Sequence, residues 1–329
     1  MATDSRPRVF VTRALPGAAL ATLADEVALE VWPGPGAPTP AALSRATRDA
    51  EGLLCLLTDR VDAALLDSCP RLRVVSSCSV GVDHIDLEAA TARGIPVGHT
   101  PGVLTETTAD LAFALLLAAA RRIPEADRFV REGCWTPERS WEPDLLLGRD
   151  LHGAVLGLIG LGAIGRAVAR RAQGFGMRVL GWNRTPRAVP GVELVALPEL
   201  LAASGFVSLH VARTPQTEGL IGAPELARMR PGAVLVNTAR GGLVDEAALV
   251  AALVSGRLAG AALDVFAHEP LPPDSPLLSA PRLVLAPHIG SASVATRSRM
   301  AELAVANLRA GLRGERLPHC ANPEVDATR

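Results

Sequence analysis

One stretch, residues 155–165, constrains the fold of this chain more than any other. Val155–Ile159 is a short apolar run of the kind found in buried parallel strands, and the glycine-rich segment 160–165 follows it directly. In such a unit the first glycine makes the tight turn, the second leaves room for a pyrophosphate, and the third lets helix and strand pack closely. The stretch predicts a dinucleotide site, with these candidate contacts: Gly160, Gly162, Ala163, Ile164 and Gly165.

The context of the glycines decides between this site and an ordinary turn. A glycine-rich turn is often only a turn, but here a helical pattern opens at Ala167 and a second strand is expected over residues 177–182. The amino terminus of that helix would offer free N–H groups to the phosphates. The context therefore favours dinucleotide binding.

Composition excludes several chemistries. All 33 basic residues are arginine, and the chain contains neither lysine nor tyrosine. A reductase built on a Tyr–Lys pair, a Schiff-base or pyridoxal enzyme, and a P-loop lysine are therefore excluded. The net charge of -1 indicates no nucleic-acid partner.

The five cysteines form no CxxC pair, which argues against a zinc knuckle or a redox dithiol and fits a reducing, cytoplasmic setting. No metal site is expected. The longest apolar run, residues 111–120, is shorter than the about 20 residues that span a bilayer, so no membrane partner is expected.

Strand-like and helix-like patterns alternate through both halves of the chain, which predicts an α/β fold with parallel sheets. The predicted strands are residues 8–11, 27–31, 52–57, 72–76, 95–98, 206–211, 233–237, 259–264 and 283–286. A helix over residues 105–122 is apolar nearly all round and is expected to lie between two domains or two subunits. The irregular segment after it carries Trp135 and Trp141, which either anchor an interface or pack against the same chain.

Two groups of residues are candidates for binding a small acid. Around Val80 and Gly81, a polar loop at the end of a strand could hold an anion with its N–H groups, or could be an ordinary turn. Arg240, Glu269 and His288 follow later strands. An arginine can clamp a carboxylate, a histidine can deliver a proton near neutral pH, and a glutamate can orient that histidine and favour its protonated form. Together they indicate reduction of a 2-keto acid.

Several motifs give the chain a wider resemblance. They are Cys55-Leu56-Leu57-Thr58-Asp59, Ser79-Val80-Gly81-Val82-Asp83-His84, Val103-Leu104-Thr105-Glu106-Thr107-Thr108-Ala109, the glycine fingerprint, Asn237-Thr238-Ala239-Arg240-Gly241, Leu263-Asp264-Val265, Glu269-Pro270-Leu271-Pro272 and Pro287-His288-Ile289-Gly290-Ser291. On these the chain resembles the NAD(P)-dependent D-2-hydroxyacid dehydrogenases. The resemblance implies two doubly wound parallel-sheet domains, Rossmann-like and flavodoxin-like, with the active-site cleft between them. A dinucleotide-binding domain (104–291) would be inserted into a substrate-binding domain (1–103 and 292–329).

The resemblance also implies an activity and site residues. The activity is NAD(P)H-dependent reduction of glyoxylate or hydroxypyruvate to the D-2-hydroxy acid by a homodimer. Arg240, Glu269 and His288 would be catalytic. The implied substrate contacts are Val80, Gly81, Leu56, Leu57, Arg240, Ser291 and, from the neighbouring subunit, Trp141. The further implied cofactor contacts are Thr108, Ala212, Thr238, Ala239, Asp264 and Gly290. Reduction of 2-ketogluconate or another 2-keto acid stays open, as does a non-enzymatic dinucleotide-binding corepressor.

The residues after the strand expected over 177–182, the second strand of the predicted dinucleotide site, bear on the choice of cofactor. NAD-preferring dehydrogenases usually place an acid there for the ribose 2′-OH. This chain has Asn183, Arg184 and Thr185, with Arg187 nearby. A 2′-phosphate would meet an arginine, so NADPH is the expected cofactor, with NADH possible. The alternative is that Arg184 is a solvated loop residue.

Overall fold

The computed structural model of the chain describes residues 5–327. Contacts divide it into two compact units, Met1–Leu104 with Ser291–Arg329, and Thr105–Gly290. The predicted domains differ from these units by one residue at each boundary, and residues 1–4 and 328–329, which both divisions contain, lie outside the described residues. The division of substrate and cofactor binding between the units stays a prediction.

The first unit begins with five strands that alternate with four short helices. The strands are β1 Arg8–Val11, β2 Ala28–Val31, β3 Gly52–Cys55, β4 Val74–Ser77 and β5 Val97–Gly98. The helices between them are α1 Ala19–Ala24, α2 Pro40–Thr47, α3 Ala63–Asp67 and α4 Leu87–Ala92. The side chains of Thr39, Asp62 and Asp86 cap the last three of these helices.

The second unit has seven strands and six helices. The helices are α5 Thr105–Ala120, α6 Ile123–Arg131, α7 Ala163–Gly174, α8 Leu197–Ala203, α9 Ala223–Arg228 and α10 Glu246–Val254. The strands are β6 Val155–Ile159, β7 Arg178–Trp182, β8 Glu193–Leu194, β9 Phe206–Leu209, β10 Ala233–Asn237, β11 Leu258–Leu263 and β12 Leu283–Leu285. A long helix, α11 Val294–Leu312, then belongs to the first unit, where it packs on β3 and β4.

Both sheets are formed by parallel neighbours. The first has the strand order β2-β1-β3-β4-β5, and the second has the order β12-β11-β10-β9-β6-β7-β8. In each order the direction of winding reverses once, between β1 and β3 and between β6 and β9. These are the flavodoxin-like and Rossmann-like arrangements, whose ligands bind beyond the carboxyl ends of the strands at the reversal. The predicted α/β fold with two parallel-sheet domains is confirmed.

The core of each unit lies on both faces of its sheet. Along β10, Val234 and Val236 pack with α5 and α7, whereas Ala233 and Leu235 pack in a second cluster with α8, α9 and α10. Alternate side chains of a strand point to opposite faces, so the two clusters are the two sides of one sheet. This double burial explains why the central strands read as continuous apolar runs rather than as alternating ones.

The predicted helix over residues 105–122 ends two residues early. Arg122 has φ of 54°, a left-handed conformation that stops an α-helix, and α6 begins directly after it with a proline in its first turn. The sequence patterns did not predict α6, all of whose residues are at least partly exposed, nor α8, α9 and the two-residue strand β8. Within residues 5–327, no helix has both the length and the apolar character needed to cross a bilayer.

Candidate active site

Three predicted site residues follow three adjacent strands of the second unit. Arg240 comes after β10, Asp264 directly follows β11, and His288 comes after β12. The carboxyl ends of parallel strands meet at one edge of the sheet, so their loops lie side by side. The sequence order alone would not have brought these positions together, because up to 48 residues separate them.

His288 and Glu269 form a hydrogen-bonded pair. Nδ1 of His288 lies 2.6 Å from Oε2 of Glu269, and about a quarter of each side chain is exposed. The other carboxylate oxygen, Oε1, accepts the backbone N–H of Phe266 at 2.9 Å, which fixes the orientation of the carboxylate. With Nδ1 turned to the glutamate, Nε2 is the ring nitrogen left for another partner.

The pKa of Glu269 lies below its ordinary value. Burial raises this pKa, but the hydrogen bonds from His288 and from the Phe266 N–H, and the positive charges of His288 and Arg240, together lower it by more. Glu269 is therefore ionised at neutral pH. Nδ1 of the imidazole therefore faces a negative charge.

Asp264 holds the backbone of the loop that carries His288. It is 1% exposed, and its two carboxylate oxygens accept the N–H groups of Ile289 and Gly290 at 2.7 and 2.8 Å. Its own carbonyl accepts the His288 N–H at 2.9 Å. Burial raises the pKa of Asp264, and the two N–H bonds partly offset that rise. Asp264 was predicted as a cofactor contact, and its role in holding this loop has no signal in the sequence.

Two further predicted cofactor contacts belong to the same cluster. Thr108, on α5, donates its hydroxyl to the carbonyl of Gly290 at 3.1 Å. A side chain at position 290 would approach an oxygen of Asp264 to 3.3 Å and Thr108 to 3.4 Å. Thr108 and Asp264 therefore both contact Gly290, and the contact of these three residues with a cofactor stays a prediction.

The loop that carries Arg240 is held by Asn237. Nδ2 of this fully buried side chain donates to the carbonyl of Arg240 at 2.8 Å, and its Oδ1 accepts the Ala239 N–H at 3.0 Å. At Gly241 a Cβ would come within 1.9 Å of the carbonyl of Phe266. The arginine loop thus packs backbone to backbone against the segment that leads to Glu269. Asn237 was quoted as part of a motif, but this role was not predicted.

The glycine turn has the geometry that the sequence predicts. Gly160 has φ of 103°, and a Cβ on Gly165 would lie 2.0 Å from the carbonyl of Gly160, so neither position accepts a side chain without a shift of the backbone. Gly162 begins α7 as its N-cap, with no atom within 4 Å of the place where its Cβ would be. The amino terminus of α7 therefore borders open space at Gly162, and the N–H groups of Ala163 and Ile164 have no partner within their own helix.

The residues present at this edge fit a dinucleotide. The buried hydroxyl of Thr238 has no hydrogen-bond partner among the residues that the structure describes, and an orphaned buried donor of this kind suits a polar ligand. Ala239 is half-buried beside it, and Ala212 lies exposed after β9. Within the described part of the chain, no group of three or more His, Cys, Asp and Glu side chains is placed to hold a metal ion.

His210 was missed by the sequence analysis. It follows β9 next to the glycine turn, and a Cβ on Gly160 would touch its backbone at 2.6 Å. Its Nε2 lies 2.9 Å from the hydroxyl of Ser208. Desolvation lowers the pKa of His210 to about 4, so the ring is neutral at neutral pH.

The loop after β7 presents the residues predicted to select the cofactor. Asn183 ties this loop to the glycine turn, since its Oδ1 accepts the Leu161 N–H at 3.3 Å and its Nδ2 donates to the carbonyl of Thr185 at 2.7 Å. Arg184, Thr185 and Arg187 are all exposed. No acid lies between Trp182 and Arg187.

In the first unit, Val80 and Gly81 follow β4 and are half-buried. Neither backbone N–H donates a hydrogen bond to any residue of the described chain. Leu56 and Leu57 follow β3, the neighbour of β4, and the Leu56 N–H donates to Oδ2 of the buried Asp59 at 2.7 Å. Two loops predicted to bind substrate thus leave adjacent strands of this sheet.

Trp141 and Ser291 are the remaining predicted substrate contacts. Trp141 is 83% exposed and Trp135 is also exposed, so neither packs into the core of its own unit. The alternative that these tryptophans pack against the same chain is therefore not supported for Trp141. Ser291 is half-buried, and its carbonyl accepts the Ser293 N–H at 2.8 Å.

Comparisons with known proteins agree with these features. The sequence pattern described as "D-isomer specific 2-hydroxyacid dehydrogenase, NAD binding domain" matches residues 113–290. The chain is 51% identical over 324 residues to a glyoxylate reductase of Korarchaeum cryptofilum (strain OPF8), with 97% of each sequence covered. Similar solved structures include a Thermus thermophilus protein with 52% identity and a TM-score of 0.90, covering 95% of this chain and 99% of that one.

A solved structure with a bound cofactor is also similar. It is an NADPH-dependent glyoxylate/hydroxypyruvate reductase of Sinorhizobium meliloti in complex with NADP and malonate, with 37% identity and a TM-score of 0.86, covering 97% of this chain and 98% of that one. These likenesses confirm the predicted NAD(P)-dependent dehydrogenase. The chain belongs to the D-isomer specific 2-hydroxyacid dehydrogenase family.

Proposed function

We propose that this chain reduces a small 2-keto acid, glyoxylate or hydroxypyruvate, to glycolate or D-glycerate with NADPH. The observation that carries the proposal is the 2.6 Å hydrogen bond between His288 and Glu269. This bond leaves Nε2 of the imidazole as a proton donor at the carboxyl edge of the sheet. The names of the relatives support this choice of substrate, since they include glyoxylate reductases and a glyoxylate/hydroxypyruvate reductase.

The residues have distinct proposed roles in the reaction. Arg240 binds the substrate carboxylate and polarises the keto oxygen, and the free N–H groups of Val80 and Gly81 hold the same carboxylate. When bound, the nicotinamide supplies a hydride to C2. His288 gives the proton on Nε2 to the keto oxygen, and Glu269 stabilises the charged ring before the transfer and keeps Nδ1 in place. Leu56, Leu57 and Ser291 border the substrate.

The proposed cofactor contacts use backbone and short side chains. The amino terminus of α7 and the turn from Gly160 to Gly165 hold the pyrophosphate. Thr238 donates a hydrogen bond to the cofactor from its buried hydroxyl, which has no hydrogen-bond partner in the described chain. Ala212, Ala239, Thr108, Asp264 and Gly290 complete the predicted set. Arg184 and Thr185 would bind a 2′-phosphate, which an acidic side chain at the same place would repel.

A homodimer is part of the proposal. Exposed large apolar side chains cluster in sequence between α5 and β6, and they are Ile123, Val130, Trp135, Trp141 and Leu147. Apolar groups of this size left in water mark protein–protein contact surfaces. We place Trp141 in the neighbouring subunit's substrate pocket. The five cysteines are free thiols, which fits a cytoplasmic location.

Substrate preference tests the proposed function directly. We expect kcat/KM with NADPH to be higher for glyoxylate or hydroxypyruvate than for the bulkier 2-ketogluconate or phenylpyruvate, because Trp141, Leu56 and Leu57 would restrict the pocket. Steady-state rates with each acid and each cofactor measure this order. A preference for phenylpyruvate would contradict the assignment, and an absence of turnover with any 2-keto acid would favour a non-enzymatic dinucleotide-binding protein.

His288→Asn should lower kcat by two or more decades while the Kd for NADPH stays nearly unchanged. General acid catalysis is typically worth about 10² to 10⁴ in rate, and Asn cannot donate a proton to the product oxygen. The matched control is His268→Asn, which removes an exposed histidine 20 residues earlier, next to Glu269. Near-normal turnover by His288→Asn would remove His288 from the mechanism.

Glu269→Gln should move the basic limb of the pH profile for reduction to lower pH. Glu269 is ionised in the native protein because its pKa is lowered, and a neutral glutamine at the same place removes this negative charge from beside the proton-donating ring. The profile of kcat/KM against pH measures the shift. Glu246→Gln, in an acid that accepts the Ala267 N–H of the same loop, is the control and should leave the profile in place.

Arg184→Ala should raise KM for NADPH by about tenfold or more, with little change for NADH. A lost charge-assisted contact to the 2′-phosphate corresponds to roughly 1.4 kcal/mol for each factor of ten. The control is Arg48→Ala, which removes an exposed positive charge from the first unit. Equal KM values for both cofactors in the unmodified enzyme would contradict the NADPH preference.

A further inference from the structure

The loop that carries Val80 and Gly81 has every carbonyl of residues 79–81 engaged by a donor from its own unit. The Thr100 N–H donates to the Ser79 carbonyl at 2.8 Å, and the Ser79 hydroxyl donates to the Gly81 carbonyl at 2.7 Å. Nδ1 of His99 lies 3.0 Å from the Val80 carbonyl. We call residues 79–81 the amide loop, because the N–H groups of Val80 and Gly81 are left without a partner in the described chain.

Peptide geometry links each bound carbonyl to one free N–H group. The carbonyl of a residue and the N–H of the next residue lie in one rigid plane and point in opposite directions. The bond to the Ser79 carbonyl therefore directs the Val80 N–H. In the same way, the bond from His99 to the Val80 carbonyl directs the Gly81 N–H.

The carbonyl of Val80 determines which ring nitrogen of His99 carries the hydrogen. A carbonyl oxygen only accepts, so Nδ1 must carry the hydrogen in this bond. The half-buried ring stands at the end of β5, beside the loop that follows β4. No step of the proposed reaction uses this ring as an acid or base, since His288 supplies the proton.

The backbone of His99 is held by the carboxyl-terminal segment of the first unit. Its N–H donates to the His319 carbonyl at 3.1 Å, and its carbonyl accepts Nδ2 of Asn307, on α11, at 2.9 Å. Oδ1 of the same fully buried Asn307 accepts the His319 N–H at 2.9 Å. The ring therefore projects from a backbone that is fixed on both sides.

We propose that His99 is a positioning residue for substrate binding: its Nδ1–H fixes the Val80–Gly81 peptide so that the Gly81 N–H faces the substrate carboxylate. The segment around His319 and Asn307 supports it by holding the His99 backbone. This inference rests on the proposed function, in which the amide loop binds the carboxylate. A carboxylate is held alike before and during reduction, so the contribution of His99 falls on KM rather than on kcat.

The test compares two variants of similar size. His99→Leu removes the donor, and we expect KM for glyoxylate to rise about tenfold with kcat within threefold and KM for NADPH unchanged. His99→Asn can place an amide N–H where Nδ1 stands, and we expect KM within about threefold of the unmodified enzyme. An unchanged KM for glyoxylate in His99→Leu overturns the proposal. A KM for His99→Asn as high as that for His99→Leu also overturns it, because the effect would then come from loss of the ring and not from loss of its hydrogen bond.

The matched control is His152→Leu. Nδ1 of His152 also faces a backbone carbonyl, that of Phe175 at 3.3 Å, but in the second unit and beyond the amino ends of the strands. It should leave KM for glyoxylate unchanged. If His99→Leu fails to fold, as judged by thermal unfolding, His99→Ala serves the same comparison.

Binding of oxalate separates this inference from the proposed function. Calorimetry with the NADPH-bound protein measures the affinity of this small dicarboxylate without turnover, and His99→Leu should weaken it about tenfold. If the unmodified protein binds oxalate but does not reduce glyoxylate, the proposed function fails while the role of His99 is still tested. If it reduces glyoxylate and His99→Leu binds oxalate normally, the role of His99 alone is overturned.

Discussion

All strands of a parallel sheet end at the same edge, and the candidate site of this chain depends on that constraint. It places the loops after β10, β11 and β12 side by side, although Arg240 and His288 are 48 residues apart in sequence. It also places the glycine turn after β6 at the same edge of the sheet. The helices on both faces supply the burial that holds these strands in register, so the reactive side chains stand on a rigid base.

A parallel sheet brings loops together but does not orient their side chains, and buried polar residues do this here. Asn237 binds both the N–H of Ala239 and the carbonyl of Arg240, and Asp264 binds two N–H groups beyond His288. Burial of Asp264 is unfavourable for its charge, as its raised pKa indicates, and the N–H bonds offset part of that penalty. Each such residue contacts backbone, so it fixes a loop whatever side chains the loop carries.

The sequence predicted the strands other than β8, the glycine turn and the His288–Glu269 pair because each has a local signal. Apolar runs predict buried strands, and residues with acid–base chemistry directly after a strand predict a site at the carboxyl edge of the sheet. The contacts of Asn237, Asp264 and His99 have no local signal, since their partners are set by tertiary packing and a polar residue near a strand end is common. The helix α6 was missed because it is short, rich in charged residues and buries none of its side chains, although Ile123 and Val130, seven residues apart, lie on one face of it.

The titration of the site follows from the same arrangement. The chain contains no lysine or tyrosine that could lose a proton at high pH. Burial raises the pKa of the Cys78 thiol to about 12, and desolvation keeps His210 neutral. Glu269, with its lowered pKa, stays ionised. Glu269 therefore presents a fixed negative charge to Nδ1 of His288, so a change in keto-acid reduction near neutral pH does not come from the titration of this carboxylate.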